Sequence, residues 1–177
     1  MYLSDFSELM RKVLDNSSTE RIKLSEEIEI LKIYIELEAM LLEGEFSYEI
    51  KIGEKVDVDS IQIPGLLIQP YVENAFKHGL RHKKGLKNLM LSFNLLEEEN
   101  LLLVELIDNG VGLQVSKQIN DENSKTHKSF ASEATAKRIN LLNSEKKDSV
   151  HVEFLDRSAY NNEQSGTIVK LKILIKK

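Results

Sequence analysis

The chain has 177 residues, of which 41% are hydrophobic, so it can bury a core, and we expect one domain with a smaller appendage. The net charge of −5 argues against nucleic acid as the main partner, and the absence of cysteine excludes disulfides and thiolate metal sites. Since no apolar run approaches the roughly 20 residues that span a bilayer and no signal peptide opens the sequence, we expect a soluble chain without direct membrane contact.

The first part of the chain is predicted to form two helices. Residues 3–15 place apolar side chains on one stripe of a short helix, which needs a partner such as the chain's own core to cover it. A second helix is predicted from Ser25 to about Leu42, with Glu26 and Glu27 near the positive end of its dipole. Because its apolar residues cover a wide arc, we expect this helix to be well buried and to act as scaffold.

A helix predicted between Pro70 and Gly79, after strands at residues 46–52 and 61–63, carries the first candidate site residues. Proline suits a first helical turn, and glycine suits the far end because it readily adopts positive φ. The polar face of this helix carries four candidates: Glu73, Asn74, Lys77 and His78. The side-chain oxygens of Glu73 or Asn74 are suitable ligands for Mg²⁺, and the ammonium group of Lys77 can contact phosphate. A solvated face with an i,i+4 ion pair explains the same residues, and on this segment alone it is the simpler interpretation.

A second group of candidates follows a buried strand in a predicted hairpin of residues 89–95 and 101–107. Asp108 stands at the end of that strand, where its carboxylate can accept a hydrogen bond from an exocyclic amine such as that of adenine. Gly110 and Gly112 allow backbone to come close to a ligand. A tight turn alone would explain Asn109 and Gly110, but it gives no reason for Asp108 or Gly112.

The rest of the chain completes an α+β pattern. Residues 114–129 are polar without periodicity, which is typical of a lid or a disordered segment. A helix over residues 132–144 and strands at 150–154 and 169–175 follow, and Gly166-Thr167 opens the last strand. We therefore predict a two-layer α+β sandwich with helices on one face of a mixed, mostly antiparallel sheet.

The two groups of candidates together resemble a known superfamily. An asparagine-bearing helix followed some thirty residues later by a strand and Asp-x-Gly-x-Gly is similar to the GHKL ATPases, which share the Bergerat fold. Three segments are similar to sensor histidine kinases of the LytS/YehU type: VENAFKHG, IPGLLIQP and LSEEIEILKIYIELEAMLL. The likeness extends over nearly the whole chain, so it is more specific than either motif alone.

This resemblance implies an ATP and Mg²⁺ site between the helix layer and a lid formed by residues 114–129. Asn74 would hold Mg²⁺, Lys77 would contact phosphate, and His78 would lie on the same ATP-site helix. Glu73 matches the catalytic motif and would orient Mg²⁺-bound water. The adenine pocket would be formed by Asp108, Gly110, Gly112 and the hydroxyl of Thr167. Arg138 matches an arginine of the family, for which a phosphate contact and a structural salt bridge are both open.

The chain departs from the family pattern in two places. Ala131 and Ser132 replace the glycine and leucine of a second glycine motif, where backbone N–H groups approach phosphate, and an added Cβ opposes that approach. The phosphoacceptor histidine of the family has no counterpart, because the sequence context of the family motif surrounds none of the four histidines: His78, His82, His127 and His151.

The sequence therefore predicts the ATP-binding catalytic fragment of a two-component sensor histidine kinase. Residues 1–18 would be the end of the dimerisation and phosphoacceptor helices, and residues 19–177 the catalytic domain. The full-length protein would be a homodimeric membrane sensor whose cytoplasmic part phosphorylates a response regulator through a histidine. The alternative is a degenerate GHKL module, with weak or no nucleotide binding, that serves as a dimerisation scaffold. A hydrolytic ATPase is a weaker interpretation, because Pro70 stands where such enzymes have a carboxylate base.

Overall fold

The computed structural model describes residues 21–96, 100–116, 130–145, 150–159 and 164–175. The predicted helix over residues 3–15 and the predicted lid beyond residue 116, including His127, lie outside these ranges. No helix in the described ranges is long and apolar enough to cross a membrane.

The described chain forms three main helices and seven strands. The first half contains β1 (Ile22–Lys23), α1 (Leu24–Met40), β2 (Phe46–Ile52), β3 (Gln62–Ile63) and α2 (Gln69–Asn74). A π-helical turn at Ala75–Gly79 and a 3₁₀ turn at Leu80–His82 continue α2. The second half contains β4 (Lys87–Leu96), β5 (Leu101–Asp108), α3 (Phe130–Glu145), β6 (Val150–Asp156), a 3₁₀ turn (Arg157–Ala159) and β7 (Thr167–Leu174).

The main sheet has five strands in the order β2-β4-β5-β7-β6. The β2–β4 pair is parallel and the other three pairs are antiparallel, so the predicted mixed, mostly antiparallel sheet is confirmed. A separate two-stranded sheet joins β1 to β3.

The core lies between one face of the main sheet and the helices. Alternate side chains of β4, β5 and β7 are fully or almost fully buried: Leu89, Leu91, Phe93, Leu102, Val104, Leu106, Val169, Leu171 and Ile173. They form one cluster with the buried side chains of α1 and α2, which is the expected outcome when strands of period two face helices of period 3.6. The predicted two-layer arrangement is confirmed.

Several boundaries differ from the prediction, and three of them have a local cause or concern the candidate site. Helix α1 begins at Leu24 rather than at Ser25, because the Glu26 carboxylate accepts a hydrogen bond from the backbone N–H of Lys23 (3.1 Å) and satisfies a free donor of the first turn. Residues 113–116, predicted irregular from 114, form a helical turn in which the N–H of Ser116 donates to the carbonyl of Gly112. Helix α3 begins at Phe130, so Ala131 and Ser132 lie in its first turn.

Candidate functional site

Gly79 is the point where the helix that bears Asn74 meets the turn after β5. Its φ is −113°, so the prediction that it closes a helix with positive φ is wrong. A Cβ built on Gly110 would stand 2.5 Å from both the Cα and the carbonyl carbon of Gly79. Gly110 must therefore be glycine because its backbone touches that of Gly79, whereas a Cβ on Gly79 would stand 3.0 Å from Oδ1 of Asp108. These contacts bring the end of the α2 segment against Asp108.

The Asp108 side chain is buried at the end of β5, with only 2% of its surface exposed. One of its oxygens, Oδ1, accepts a hydrogen bond from the backbone N–H of Gly110 (2.7 Å). Burial raises the pKa of Asp108 to about 6, although the N–H groups of Gly110 and Thr167 and the charge of Arg157 oppose the rise. A buried carboxylate with this pKa is a strong acceptor at neutral pH and a poor one in mild acid.

Two more glycines close the turn around Asp108. Gly112 has a φ of +85° and Gly166 a φ of +126°, and a Cβ on Gly166 would stand 2.0 Å from the carbonyl oxygen of Asp108. Thr167 follows Gly166, so the structure brings Asp108, Gly110, Gly112 and Thr167 to one end of the sheet.

Asp156 and Arg157, at the end of β6, brace the same turn and were missed by the sequence analysis. The Asp156 carboxylate accepts a hydrogen bond from the N–H of Leu113 (3.1 Å), and the Arg157 guanidinium donates to the carbonyl of Asp108 (3.2 Å). The sequence signal was only an Asp-Arg pair after an alternating strand, and its partners lie more than forty residues away.

Asn74 faces a different part of the molecule from Asp108. It lines a cavity of about 370 Å³ between α2, α3 and β6, together with Tyr71, Thr135, Ala136, Ile139, Asn140, Asn143, Val150, His151, Val152 and Phe154. Asp108, Gly110 and Gly112 are not among the lining residues. Gly79 lies five residues after Asn74, which corresponds to about 7.5 Å along a helix, so α2 joins the two places.

Glu73 and Lys77 form an i,i+4 ion pair on the outer face of the α2 segment, and His78 is half-buried beside them. The solvated-face interpretation therefore describes Glu73 and Lys77 in the structure, since each side chain is at least a quarter exposed (26% and 45%). Asn74, which lines the cavity, is not explained by it.

Replacing Lys77 with alanine is expected to lower the free energy of unfolding by less than about 0.5 kcal/mol, because an exposed helical pair contributes little. Urea denaturation of the variant and the parent measures the difference. A loss above about 1.5 kcal/mol would show that Lys77 holds the fold through contacts beyond this ion pair.

Arg138 and Glu27 contact the loop that leads into α2. The Arg138 guanidinium donates to the carbonyls of Gly65 and Leu66, so in this structure its partners are backbone oxygens. Glu27 is fully buried, and its carboxylate accepts hydrogen bonds from the N–H groups of Leu66 (2.8 Å) and Ile68 (3.0 Å). Glu27 is predicted from the sequence only as a first-turn carboxylate, but its place among the apolar positions of α1 is a signal of burial.

Comparison with known proteins agrees with the sequence resemblance. A family model described as Histidine kinase matches residues 1–46. The sensor protein LytS of Oceanobacillus iheyensis is 32% identical over 116 residues, which is 63% of this chain and 18% of that protein. The sensor histidine kinase/phosphatase LytS of Staphylococcus aureus is 29% identical over 115 residues, 65% of this chain and 19% of that protein. The chain thus matches about a fifth of the length of these relatives.

Solved structures show the same fold. The histidine kinase domain of the Erythrobacter litoralis EL346 blue-light activated kinase has a TM-score of 0.62 at 15% identity, covering 98% of this chain and 74% of that one. The mycobacterial sensor histidine kinase MprB has a TM-score of 0.56 at 11% identity, covering 89% of this chain and 99% of that one. The chain has the GHKL fold of histidine kinase catalytic domains, and its sequence is similar to LytS-type sensor kinases.

Proposed function

We propose that this chain is the ATP-binding catalytic part of a two-component sensor histidine kinase. The observation that supports this most is the buried Asp108 carboxylate, which the Gly79–Gly110 contact fixes against the helix that bears Asn74. A carboxylate buried without a full ionic partner is costly for stability, and a site that must accept a hydrogen bond from adenine gives a reason for that cost.

The residues fit a magnesium nucleotide chemically. Asn74 offers an amide oxygen in a cavity wall, and oxygen ligands are the ones Mg²⁺ takes. Lys77 is the exposed cation one turn further on, where exchange of its Glu73 partner for phosphate costs little because the pair is solvated. Asp108 would accept from the adenine amine, with Gly110, Gly112 and Thr167 around it and Glu73 and His78 beside the phosphates.

In the proposed reaction the γ-phosphoryl group passes from ATP to a histidine and then to an aspartate of a response regulator. Bound Mg²⁺ would supply neutralisation of phosphate charge. The residues of this chain would contribute position and electrostatics: Asp108 anchors the base, Asn74 fixes the metal, and Lys77 offsets negative charge on the phosphates. Residues 1–18 would belong to the dimerisation region and residues 19–177 to the ATP-binding domain. The full-length protein would be a homodimeric membrane sensor with this part in the cytoplasm.

Calorimetric titration with a non-hydrolysable ATP analogue, with and without Mg²⁺, tests the proposal. We expect a dissociation constant between about 1 μM and 1 mM that requires Mg²⁺, and at least about a tenfold loss in Asn74→Ala, or 1.4 kcal/mol. Asn94→Ala is the matched control, because Asn94 is exposed on the far side of β4, and it should bind like the parent.

The alternative, a degenerate GHKL module with weak or no nucleotide binding, predicts a different result for the same titration. It rests on Ala131 and Ser132, which stand in the first turn of α3. No binding by the parent, with binding restored in Ala131→Gly, would favour that alternative and locate the defect at the start of α3. No binding in any variant would reject a nucleotide site in this chain.

A further inference from the structure

The loop from Pro64 to Ile68, which leads into α2, has an unusual backbone. Leu66 has a φ of +55°, the left-handed region that side chains other than glycine, asparagine and aspartate seldom adopt. Such a conformation is unfavourable and persists only where the surroundings fix it. The Leu66 side chain packs against a small cluster formed by Ile22 and Ile30, but the backbone itself is held by two charged side chains.

The peptide unit between Gly65 and Leu66 is hydrogen-bonded on both its N–H side and its carbonyl side. The N–H of Leu66 donates to Oε2 of Glu27 (2.8 Å), and the carbonyl of Gly65, on the opposite edge of the same peptide, accepts from the Arg138 guanidinium. Arg138 also donates to the carbonyl of Leu66 (3.2 Å), and Oε1 of Glu27 accepts from the N–H of Ile68 (3.0 Å). Each carboxylate oxygen and each of two guanidinium nitrogens thus has its own backbone partner.

The two charges come from different helices and act together. Glu27 is on α1 and fully buried, and Arg138 is on α3. Burial raises the pKa of Glu27, whereas the N–H groups of Ile68 and Leu66 and the positive charge of Arg138 oppose this rise. The loop therefore lies between the Glu27 carboxyl, whose two oxygens accept its N–H groups, and the Arg138 guanidinium, which donates to its carbonyls.

The loop held by Glu27 and Arg138 determines where α2 starts. The carbonyl of Ile68 accepts from the N–H groups of Tyr71 (3.0 Å) and Val72 (3.4 Å), so Ile68 opens the helix. Asn74 follows six residues later, about 9 Å along a helical axis. A rotation or shift at Ile68 is carried by the helix to the Asn74 amide.

We infer that Glu27 and Arg138 are positioning residues for nucleotide binding: they hold the strained loop between them and thereby aim Asn74 into the cavity. This inference rests on the proposed function, because it assigns Asn74 to the magnesium nucleotide. It also links α1, which the histidine kinase family model covers, to the opposite cavity wall formed by α3. A displacement of either helix would move the start of α2.

Glu27→Gln tests the inference in the 177-residue chain. The amide keeps one acceptor oxygen and turns the other position into an NH₂ donor, which would face the N–H of Leu66 or Ile68. Glu26→Gln is the matched control, because Glu26 is its exposed neighbour on α1 and accepts a hydrogen bond from the N–H of Lys23 at the start of the helix. Binding is measured with Mg²⁺ and a non-hydrolysable ATP analogue at a temperature where circular dichroism shows every variant folded.

We expect the dissociation constant to rise about tenfold or more in Glu27→Gln, because small misplacements of a positioned group carry penalties of that order, and to stay within twofold in Glu26→Gln. The amide resonances of Tyr71 to Asn74 should shift in the ligand-free variant as well, which a purely global loss of stability would not produce. Equal affinity in Glu27→Gln and the parent, or unmoved resonances, would overturn the inference. Absence of binding by the parent would instead reject the proposed function and the inference with it.

Arg138→Lys provides a second test should Glu27→Gln fail to fold. Lysine keeps the charge but lacks the planar guanidinium that donates to both carbonyls at once. The amide resonances of Leu66 and of Tyr71 to Asn74 should therefore shift in the ligand-free variant. A direct phosphate contact alone would weaken binding and leave those ligand-free resonances in place, which would overturn the assignment of Arg138.

Discussion

Replacing Gly166 with alanine is expected to destabilise the fold by about 4 kcal/mol or more, a loss in the range that marks a specific structural cause. The φ of +126° is unfavourable for any residue with a Cβ, and the Cβ would stand 2.0 Å from the carbonyl oxygen of Asp108 and 2.8 Å from the Cα of Asn109. These are backbone atoms that no side-chain rotation can move. Urea denaturation followed by circular dichroism measures the loss, and failure of the variant to fold would be the extreme of the same result.

Gly85→Ala is the control for Gly166→Ala. Gly85 also has positive φ (+80°), but a Cβ there would meet no atom within 4 Å. Its replacement should therefore cost only the backbone term of about 1–2 kcal/mol. If the two variants lost the same stability, the backbone overlap at Gly166 would be absent in solution, and the turn around Asp108 would be looser than described.

Asp108→Asn is expected to change how the stability of the protein depends on pH. The folded-state pKa of Asp108, about 6, lies above its ordinary value of 3.8, so the folded state favours the protonated acid. The stabilisation from that proton is complete below pH 4 and is lost as the pH rises through 6. A shift of this size corresponds to about 3 kcal/mol. Relative to Asp108→Asn, the parent should therefore lose up to that amount between pH 4 and pH 7.

The measurement is urea denaturation of both proteins at several pH values between 4 and 7.5. Asp57→Asn is the control, because Ser60 and the N–H of Asp59 lower the pKa of that exposed carboxyl below its ordinary value of 3.8, so its contribution to stability should stay nearly constant over this pH range. A stability difference between the parent and Asp108→Asn that did not change with pH would show that Asp108 titrates as an ordinary surface carboxyl.

The affinity for an adenine nucleotide should depend on pH in the opposite direction. It should weaken below pH 6, since only the carboxylate is a full acceptor for the amine.

Local patterns in the sequence were sufficient to identify the main strands. Strict alternation in β4 and β7 and the apolar run of β5 fix which side chains face the core, because a strand has a period of two whatever its partners are. The position of Asp108 at the end of a buried strand could be predicted for the same reason. The parallel pairing of β2 with β4 could not, because strand order is decided by long-range packing.

Interactions between distant segments account for what the sequence analysis missed. Gly79 carries a helix-end signal in the sequence, yet a Cβ there is opposed by Oδ1 of Asp108 at 3.0 Å, and the Gly79 backbone leaves no room for a Cβ on Gly110, thirty-one residues away. Glu27 looked like a first-turn carboxylate, but its partners are backbone N–H groups about forty residues later. A side chain whose partner is a backbone group leaves no complementary residue in the sequence, so only the fold reveals the pair.

The contact between Gly79 and Gly110 also limits how this protein can move. Side chains that meet across an interface can change rotamer and let two elements slide, but two backbones in contact have no such freedom. The Gly79 end of the α2 segment and the end of β5 should therefore behave as one rigid body. A closing motion around a ligand would instead involve α3, which lines the cavity opposite Asn74, together with the loop before α2 that Arg138 holds. In relaxation experiments the backbone around Gly79 and Gly110 should be quiet on the microsecond to millisecond timescale, and exchange should concentrate in α3.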